Sequence, residues 1–177
     1  MPTMTFSEIY KLFGGMVYNV ALQYTQNGQD AEEVTQDVFV LVHEKMNAFR
    51  NEAELKTWIY RIAVNKSLDF LRAKKAVKRW SFLSAKGIDE KKYEMVHSEF
   101  NHPGVQLEQK EALAFLFSCI NQLNEKQKTA IILVRIEGIS MDEASSIMGL
   151  SYKALESVIG RAKIKLQNII NESKEDE

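Results

Sequence analysis

The sequence predicts an all-α protein made of two small helical domains joined by a flexible linker. Three observations carry that expectation. Apolar residues recur at spacings of three and four through most of the chain, the period of an amphipathic helix. Only two prolines and eight glycines interrupt 177 residues, and alternating runs of the β type are few. Residues 81–104 hold Gly87, Pro103 and Gly104 and sustain no period, so they read as the linker. This length suits one domain or two small ones. With 45% apolar and 27% charged residues, the chain can bury a core and stay in water.

The elements follow in order. Ser7 is placed to cap a first helix bearing Ile9, Leu12, Phe13, Met16, Val17 and Val20. Gly28-Gln-Asp30 interrupts it. Asp30 stands as N-cap of a second helix running to Met46, with Glu33 three residues on, as in a capping box. Asn47 to Leu55 is a polar connector holding Phe49, and the third helix is built around Trp58. Helical pattern returns at Val105 and runs to Leu123. Asn124 caps the next helix (Ala130, Ile131, Leu133, Val134, Ile136), which Gly138 ends. Ser140 caps a short helix with Ala144, Ile147 and Met148 inward. Gly149-Leu150-Ser151 turns the chain into a last helix repeating Leu155, Val158, Ile159, Ala162, Leu166 and Ile169. The domains read this way are residues 1–80 and 105–171, with a charged tail, 172–177, expected to fray.

The third helix carries the most chemistry. It is apolar nearly all round, with Ile59, Tyr60, Ile62, Ala63, Val64, Phe70 and Leu71. At about 100° per residue, Trp58, Arg61, Asn65, Asp69 and Arg72 share an arc of roughly 80°. That stripe leads into Lys74, Lys75, Lys78 and Arg79. Cations suit phosphates, an amide suits a base edge, and an aromatic suits stacking, so the face fits DNA. A core helix with a solvated face and a basic end that favours its dipole fits the same pattern.

Residues 140–166 have the build of a helix-turn-helix: a short helix, a glycine turn and a longer helix. The outer face of the longer helix carries Lys153, Ala154, Ser157, Gly160, Arg161 and Lys165, small enough to enter a major groove and basic enough to meet phosphates. An ordinary helical hairpin is the plainer alternative.

Net charge is −1, yet charge is segregated. Residues 61–79 carry seven cations and one acid, and Asp30–Glu44 carries five acids and no lysine or arginine. An acidic face and a basic face suggest two different partners. On the second helix Asp30, Glu33, Asp37 and Glu44 share one side with Gln36 beside them. The plain alternative is a solvated face. A hydrolytic or metal-binding carboxylate pair lacks any second cluster to complete it, and His43 points away from the stripe.

Other chemistries find no support. The chain has no GxxxxGK[ST], GxSxG, HExxH or CxxC. His97 and His102 stand in the linker without a ligand framework, so no metal or other cofactor is expected. Cys119 is the only cysteine, a small core residue among Phe115, Leu116 and Ile120. It can form no intramolecular disulfide, which fits a reducing cytoplasm. The N-terminus lacks a basic region before an apolar core, and no apolar run reaches the ~20 residues of a membrane span.

Taken together, these stretches resemble the bacterial RNA polymerase sigma factors of the sigma-70 family, of the small extracytoplasmic-function (ECF) type. Asp30-Ala-Glu-Glu-Val-Thr-Gln-Asp-Val-Phe39 is similar to the family's D-A-E-x-x-x-Q-[DE]-x-F. Trp58-Ile-Tyr-Arg-Ile-Ala-Val-Asn65, with Asp69 and Arg72, is similar to W-[LI]-x-x-I-A-x-N-x-x-x-D-x-x-R. Ser140–Leu166, with Arg161-Ala-Lys163, resembles the C-terminal helix-turn-helix. The resemblance spans nearly the whole chain in order.

The resemblance implies roles. Asp30, Glu33, Gln36 and Asp37 would dock on the β′ clamp helices of core RNA polymerase, which also contacts sigma through its β subunit. Phe49 and Asn51 to Leu55 would belong to the loop that captures a flipped base of the −10 element, recovering part of the unstacking cost. Trp58, Arg61 and Asn65 would lie beside the opened strand, and Arg72, Lys74, Lys75 and Lys78 would hold phosphates. Lys153, Ala154, Ser157 and Arg161 would read the −35 element. The linker would thread the polymerase near its active-site and RNA-exit channels. Such a protein performs no covalent chemistry and takes no small-molecule substrate. Its partners are polymerase, promoter DNA and a cognate anti-sigma factor, able to hold it at the inner membrane. Many relatives carry Gly-Thr-Val-Lys-Ser-Arg where this chain has Lys153-Ala-Leu-Glu-Ser-Val158, so Glu156 and Val158 replace two cations. The rival reading is a stand-alone helix-turn-helix regulator that binds duplex DNA without a polymerase. A small helical enzyme lacks any candidate constellation.

Overall fold

The computed structural model describes residues 4–46, 49, 54–84 and 107–175. They form α1 (Phe6–Thr25), α2 (Gly28–Lys45), α3 (Leu55–Ser84), α4 (Leu107–Asn121), α5 (Glu125–Ile131), α6 (Met141–Met148) and α7 (Tyr152–Glu175), with a π-helical turn, Ile132–Ile136, continuing α5. No strand occurs among the described residues. Contacts divide them between two compact units. One lies within Met1–Lys45 and Ile62–Asn101, the other within Met46–Arg61 and His102–Glu177.

In the first unit α1 and α2 pair as a hairpin. Two caps differ from the sequence expectation. Thr5, not Ser7, starts α1: its hydroxyl accepts from the Glu8 N–H at 3.4 Å, and the Glu8 carboxylate accepts from the Thr5 N–H at 2.7 Å. This reciprocal box satisfies two end donors at once, which Ser7 without an acid three residues on cannot do. Asn27, not Asp30, caps α2 by accepting the Asp30 N–H at 3.0 Å. The chain has already turned at Gln26, in the left-handed region at φ 55°, so Gly28 is helical. Asp30 becomes a first-turn acid, where the helix dipole favours it.

Val17, Val20 and Ala21 of α1, and Val34, Val38 and Val42 of α2, are buried. Ile62, Ala63 and Val64 of α3 join this core. Buried Ser67 donates to the Ala63 carbonyl at 2.8 Å and Thr35 to that of Ala31 at 2.6 Å, so neither hydroxyl is left unsatisfied. Past Leu71 every residue of α3 to Trp80 is exposed, and the helix carries on to Ser84, four residues into the expected linker. His97, His102 and the rest of that linker lie outside the described residues.

In the second unit α7 packs on α4, α5 and α6. Its core is Phe117, Cys119, Ile120, Ile132, Leu133, Ala144, Ile147, Leu155, Ile159 and Ala162. Asn124 caps α5 and Ser140 caps α6, as the sequence indicates. The expected single helix to Ile136 instead widens into π geometry before Gly138 takes φ +66°. The tail is helical as far as Glu175. The first two turns of α3, with buried Ile59 and Tyr60, belong to this unit.

Candidate polymerase-docking face and nucleic-acid interface

The acidic side of α2 is partly spoken for inside the first unit. The Asp30 side chain is 18% exposed and ion-paired with Lys74. Asp37 is 61% exposed, with the Lys66 ammonium 3.7 Å away. Glu33, Gln36 and Glu44 face solvent. The free edge is therefore Glu33, Gln36, Asp37 and Glu44, with Asp30 turned toward the basic end of α3. Val40, 58% exposed, sits in the middle of that edge. The spacing 33, 36, 37, 40, 44 follows one helical face, a signal the sequence reading passed over because it tracked charge alone. His43 instead packs its ring edge-on to Phe6, centroids 5.1 Å apart.

The stripe on α3 emerges as the spacing implies. Arg61, Asn65, Asp69 and Arg72 are exposed and Trp58 is half-buried. Arg72 bonds Asp69 at 2.9 Å, which turns it back along its own helix. Lys74 lies 5.9 Å above the Phe70 ring as well as on Asp30. Lys75, Lys78 and Arg79 are exposed. Val77 and Trp80 are exposed among them, and the sequence reading missed both. Ala73, Val77 and Trp80, three and four residues apart, are the helical signal that places them on one side.

In the second unit Phe49 stacks on Trp58 with centroids 4.9 Å apart. Residues 51–53 of the proposed base-capturing loop lie outside the described residues. The Arg61 guanidinium donates to the Ser146 carbonyl at 2.6 Å.

The helix-turn-helix is formed as the sequence suggests. Gly149 takes φ +63° to leave α6, and the Ser151 hydroxyl accepts the Ala154 N–H at 3.2 Å to start α7. Lys153, Ser157, Gly160, Arg161 and Lys165 are exposed and Ala154 is half-buried. Arg161 donates to the Ser157 carbonyl at 3.3 Å. A cleft of about 360 Å³ runs beside this face, lined by Asn124, Lys126 and Gln127 of the α5 start and by Ala154, Ser157 and Arg161 of α7. Sequence reasoning saw Asn124 only as a cap. Of the two positions where the resemblance implies cations, Glu156 points outward, while Val158 is buried and lines the cleft. No group of three or more metal-ligating side chains occurs among the described residues. Nor, among them, is any helix long and apolar enough to cross a membrane.

Known proteins share this arrangement. The family models of Sigma-70 region 2 and Sigma-70, region 4 match residues 9–77 and 109–166. The RNA polymerase sigma factor CnrH of Cupriavidus metallidurans is 28% identical over 96% of this chain and 88% of its own length. The ECF RNA polymerase sigma-E factor of Haemophilus influenzae is 30% identical over 80% of this chain and 75% of its own. The fold is similar to that of the sigma factor RpoE solved with the anti-sigma factor NepR from Bartonella quintana, with a TM-score of 0.67, 23% identity, and coverage of 94% of this chain and 96% of that one. Two family regions matched in order, and a relative of 30% identity over most of its length, place this chain among the ECF sigma factors of the sigma-70 family, which bind core RNA polymerase and direct promoter-specific transcription initiation.

Proposed function

We propose that residues 1–80 dock on polymerase and engage the −10 element, that 105–171 read the −35 element, and that 81–104 connect them. The carrying observation is the opposition of two faces in the first unit: α2 leaves Glu33, Gln36 and Asp37 exposed, and α3 exposes Asn65, Lys75 and Lys78. One suits a basic protein surface and the other a nucleic acid. Asp37 and its neighbours meet the β′ clamp helices, with Asp30 serving chiefly to hold Lys74. Trp58, Arg61 and Asn65 accompany the opened strand, Phe49 lies at the base-capturing loop, and Arg72, Lys74, Lys75 and Lys78 hold phosphates. Lys153, Ala154, Ser157 and Arg161 contact the −35 duplex, with Lys126 beside them. The polymerase also meets the chain through its β subunit.

The chain's work is binding, not covalent chemistry, and it requires no metal or organic cofactor. It acts in the cytoplasm, where its polymerase is. The anti-sigma partner of Bartonella RpoE supports expecting one here too, covering the docking and DNA faces and able to tether the chain at the inner membrane. The deciding experiment is binding to purified core polymerase. Tight binding that Asp37→Lys removes supports this reading. Folded protein that ignores polymerase yet binds duplex DNA would make it a stand-alone regulator.

A further inference from the structure

From Arg72 to Trp80 every residue of α3 is exposed, and the Trp80 ring is 75% open to solvent. The helix holds its form there because the stretch is rich in alanine, lysine and arginine and has no glycine or proline. From Arg72 to Ser84 it carries five cations and no acid. An indole left in water among unbalanced cations forfeits the burial a tryptophan usually gains.

Two of these residues keep register with the stripe that faces nucleic acid. At about 100° per residue, Arg79 falls within roughly 20° of Arg72, seven positions before it. Trp80 falls within roughly 20° of Asp69, eleven positions before it. The stripe of Asn65, Asp69 and Arg72 therefore runs on through Arg79 and Trp80. Lys74 leaves it, being paired with Asp30 of α2, and Lys78, four residues on, shares the Lys74 side. Arg72 is bonded to Asp69. No acid stands three or four residues from Arg79 in either direction.

Both side chains only donate: the guanidinium is always charged, and the indole has a single N–H. Phosphodiester oxygens accept from both, and the sugar face covers the ring. A partner lying along the stripe from Asn65 reaches Trp80 after about 22 Å without changing helix face, which favours an extended nucleic acid. Duplex DNA carries a charge about every 1.7 Å, against about 3.4 Å for one strand. The crowding of cations between Arg72 and Arg79 matches the duplex better than the opened strand.

We propose that Arg79 and Trp80 form a further DNA subsite, in which the guanidinium and the indole N–H hold backbone phosphates of the duplex adjoining the opened −10 segment, about six base pairs from Asn65. The proposal rests on the reading of Asn65 as a strand contact and deepens it. Both residues lie past residue 77, where the match to Sigma-70 region 2 ends.

Full chain loaded on core polymerase tests it, with two fork probes that share a single-stranded −10 segment. One has a duplex arm longer than the reach to Trp80, and the other an arm cut to about half that reach. Arg79→Ala and Trp80→Ala are each expected to weaken binding to the long-armed probe severalfold and to leave core binding unchanged. Arg79→Ala should also lower the slope of log affinity against log salt by about 1, whereas Trp80→Ala, removing no charge, keeps it. Trp80→Phe, which keeps a ring and deletes the N–H, replaces Trp80→Ala if that variant misfolds. Val77→Ala, at an exposed site about 60° round the helix from Trp80, should behave as wild type. On the short-armed probe all variants should match wild type. Wild-type affinity in both variants overturns the subsite, as do losses that persist on the short arm. Core binding lost in both Val77→Ala and Trp80→Ala overturns it too, marking an apolar face for protein instead. If wild type ignores polymerase, yet Arg79→Ala and Trp80→Ala weaken its hold on plain duplex, the subsite stands and the sigma reading fails.

Discussion

Lys66 Nζ lies 3.7 Å from Asp37 Oδ2, so the helix offered to DNA reaches over to the helix offered to polymerase. Two turns further along α3, Lys74 pairs with Asp30. The pairs differ in exposure: Asp30 is mostly covered and Asp37 mostly open. Exposed ion pairs contribute little to stability, about 0.2–1 kcal/mol, so Asp37 can exchange Lys66 for a partner's cation at small cost.

Asp37→Lys is expected to weaken core-polymerase binding at least tenfold and to cost the fold less than about 1 kcal/mol, since the site is open to solvent. Co-elution with core enzyme and a thermal melt check both halves. Asp30→Asn should weaken binding less than Asp37→Asn, because its carboxylate is turned to Lys74. Equal losses would place Asp30 in the contact itself.

Asn65→Ala should slow promoter opening while leaving polymerase binding within about twofold. Asn65 is exposed on α3 and its loss creates no cavity. Permanganate reactivity of −10 thymines reports opening, and equal loss of opening and core binding would remove Asn65 from strand recognition.

Glu156 faces outward on α7 and places an acid on the face proposed to meet DNA. Glu156→Lys is expected to tighten duplex binding and to steepen the dependence of log affinity on log salt by about 1, as one added phosphate contact requires. Fluorescence anisotropy across a salt series reads the slope, and an unchanged slope would place residue 156 away from the phosphates.

Leu155 is fully buried between the helices of the second unit. Leu155→Ala should cost about 2–5 kcal/mol, and −35 binding should fall because the unit loosens, not because a contact is lost. A urea melt by circular dichroism measures it.

The Glu8 carboxyl is held below its ordinary value by the Thr5 N–H and then by the Thr5 hydroxyl. A depressed folded value means stabilisation that is present above the ordinary glutamate value of 4.5 and lost as pH falls through the folded value. The start of α1 is expected to fray on acidification in that window. Amide shifts of Thr5 and Glu8 would follow it, and Glu8→Gln, which removes the titrating carboxyl, should abolish the transition.

Much of this was legible from periodicity. Ile59, Tyr60, Ile62, Ala63 and Val64 of α3 and Leu155, Val158, Ile159, Ala162 and Ile169 of α7 are buried as their spacing implies, because a helix must turn its apolar arc to the core. Asn124 and Ser140 cap where expected, since each is followed directly by a first turn. Ser7 and Asp30 misled because a capping side chain is chosen by where the backbone leaves extended geometry. At α2 that point is set by left-handed Gln26, which side-chain chemistry does not announce. The π turn at Ile132 and the cleft beside Val158 were silent, because both depend on how α5 and α7 pack.

The sequence by itself determined the helical class, the segregated acidic and basic faces and the order of motifs, all of which follow from local spacing. Only the tertiary structure decided which charges are free. Asp30 meets Lys74, and Tyr60 and Arg61 meet Glu137 and Ser146, across separations of 44 to 85 residues. Spacing along one helix assigns a side chain to a face, but its partner is chosen by whatever the folded chain brings within hydrogen-bonding distance.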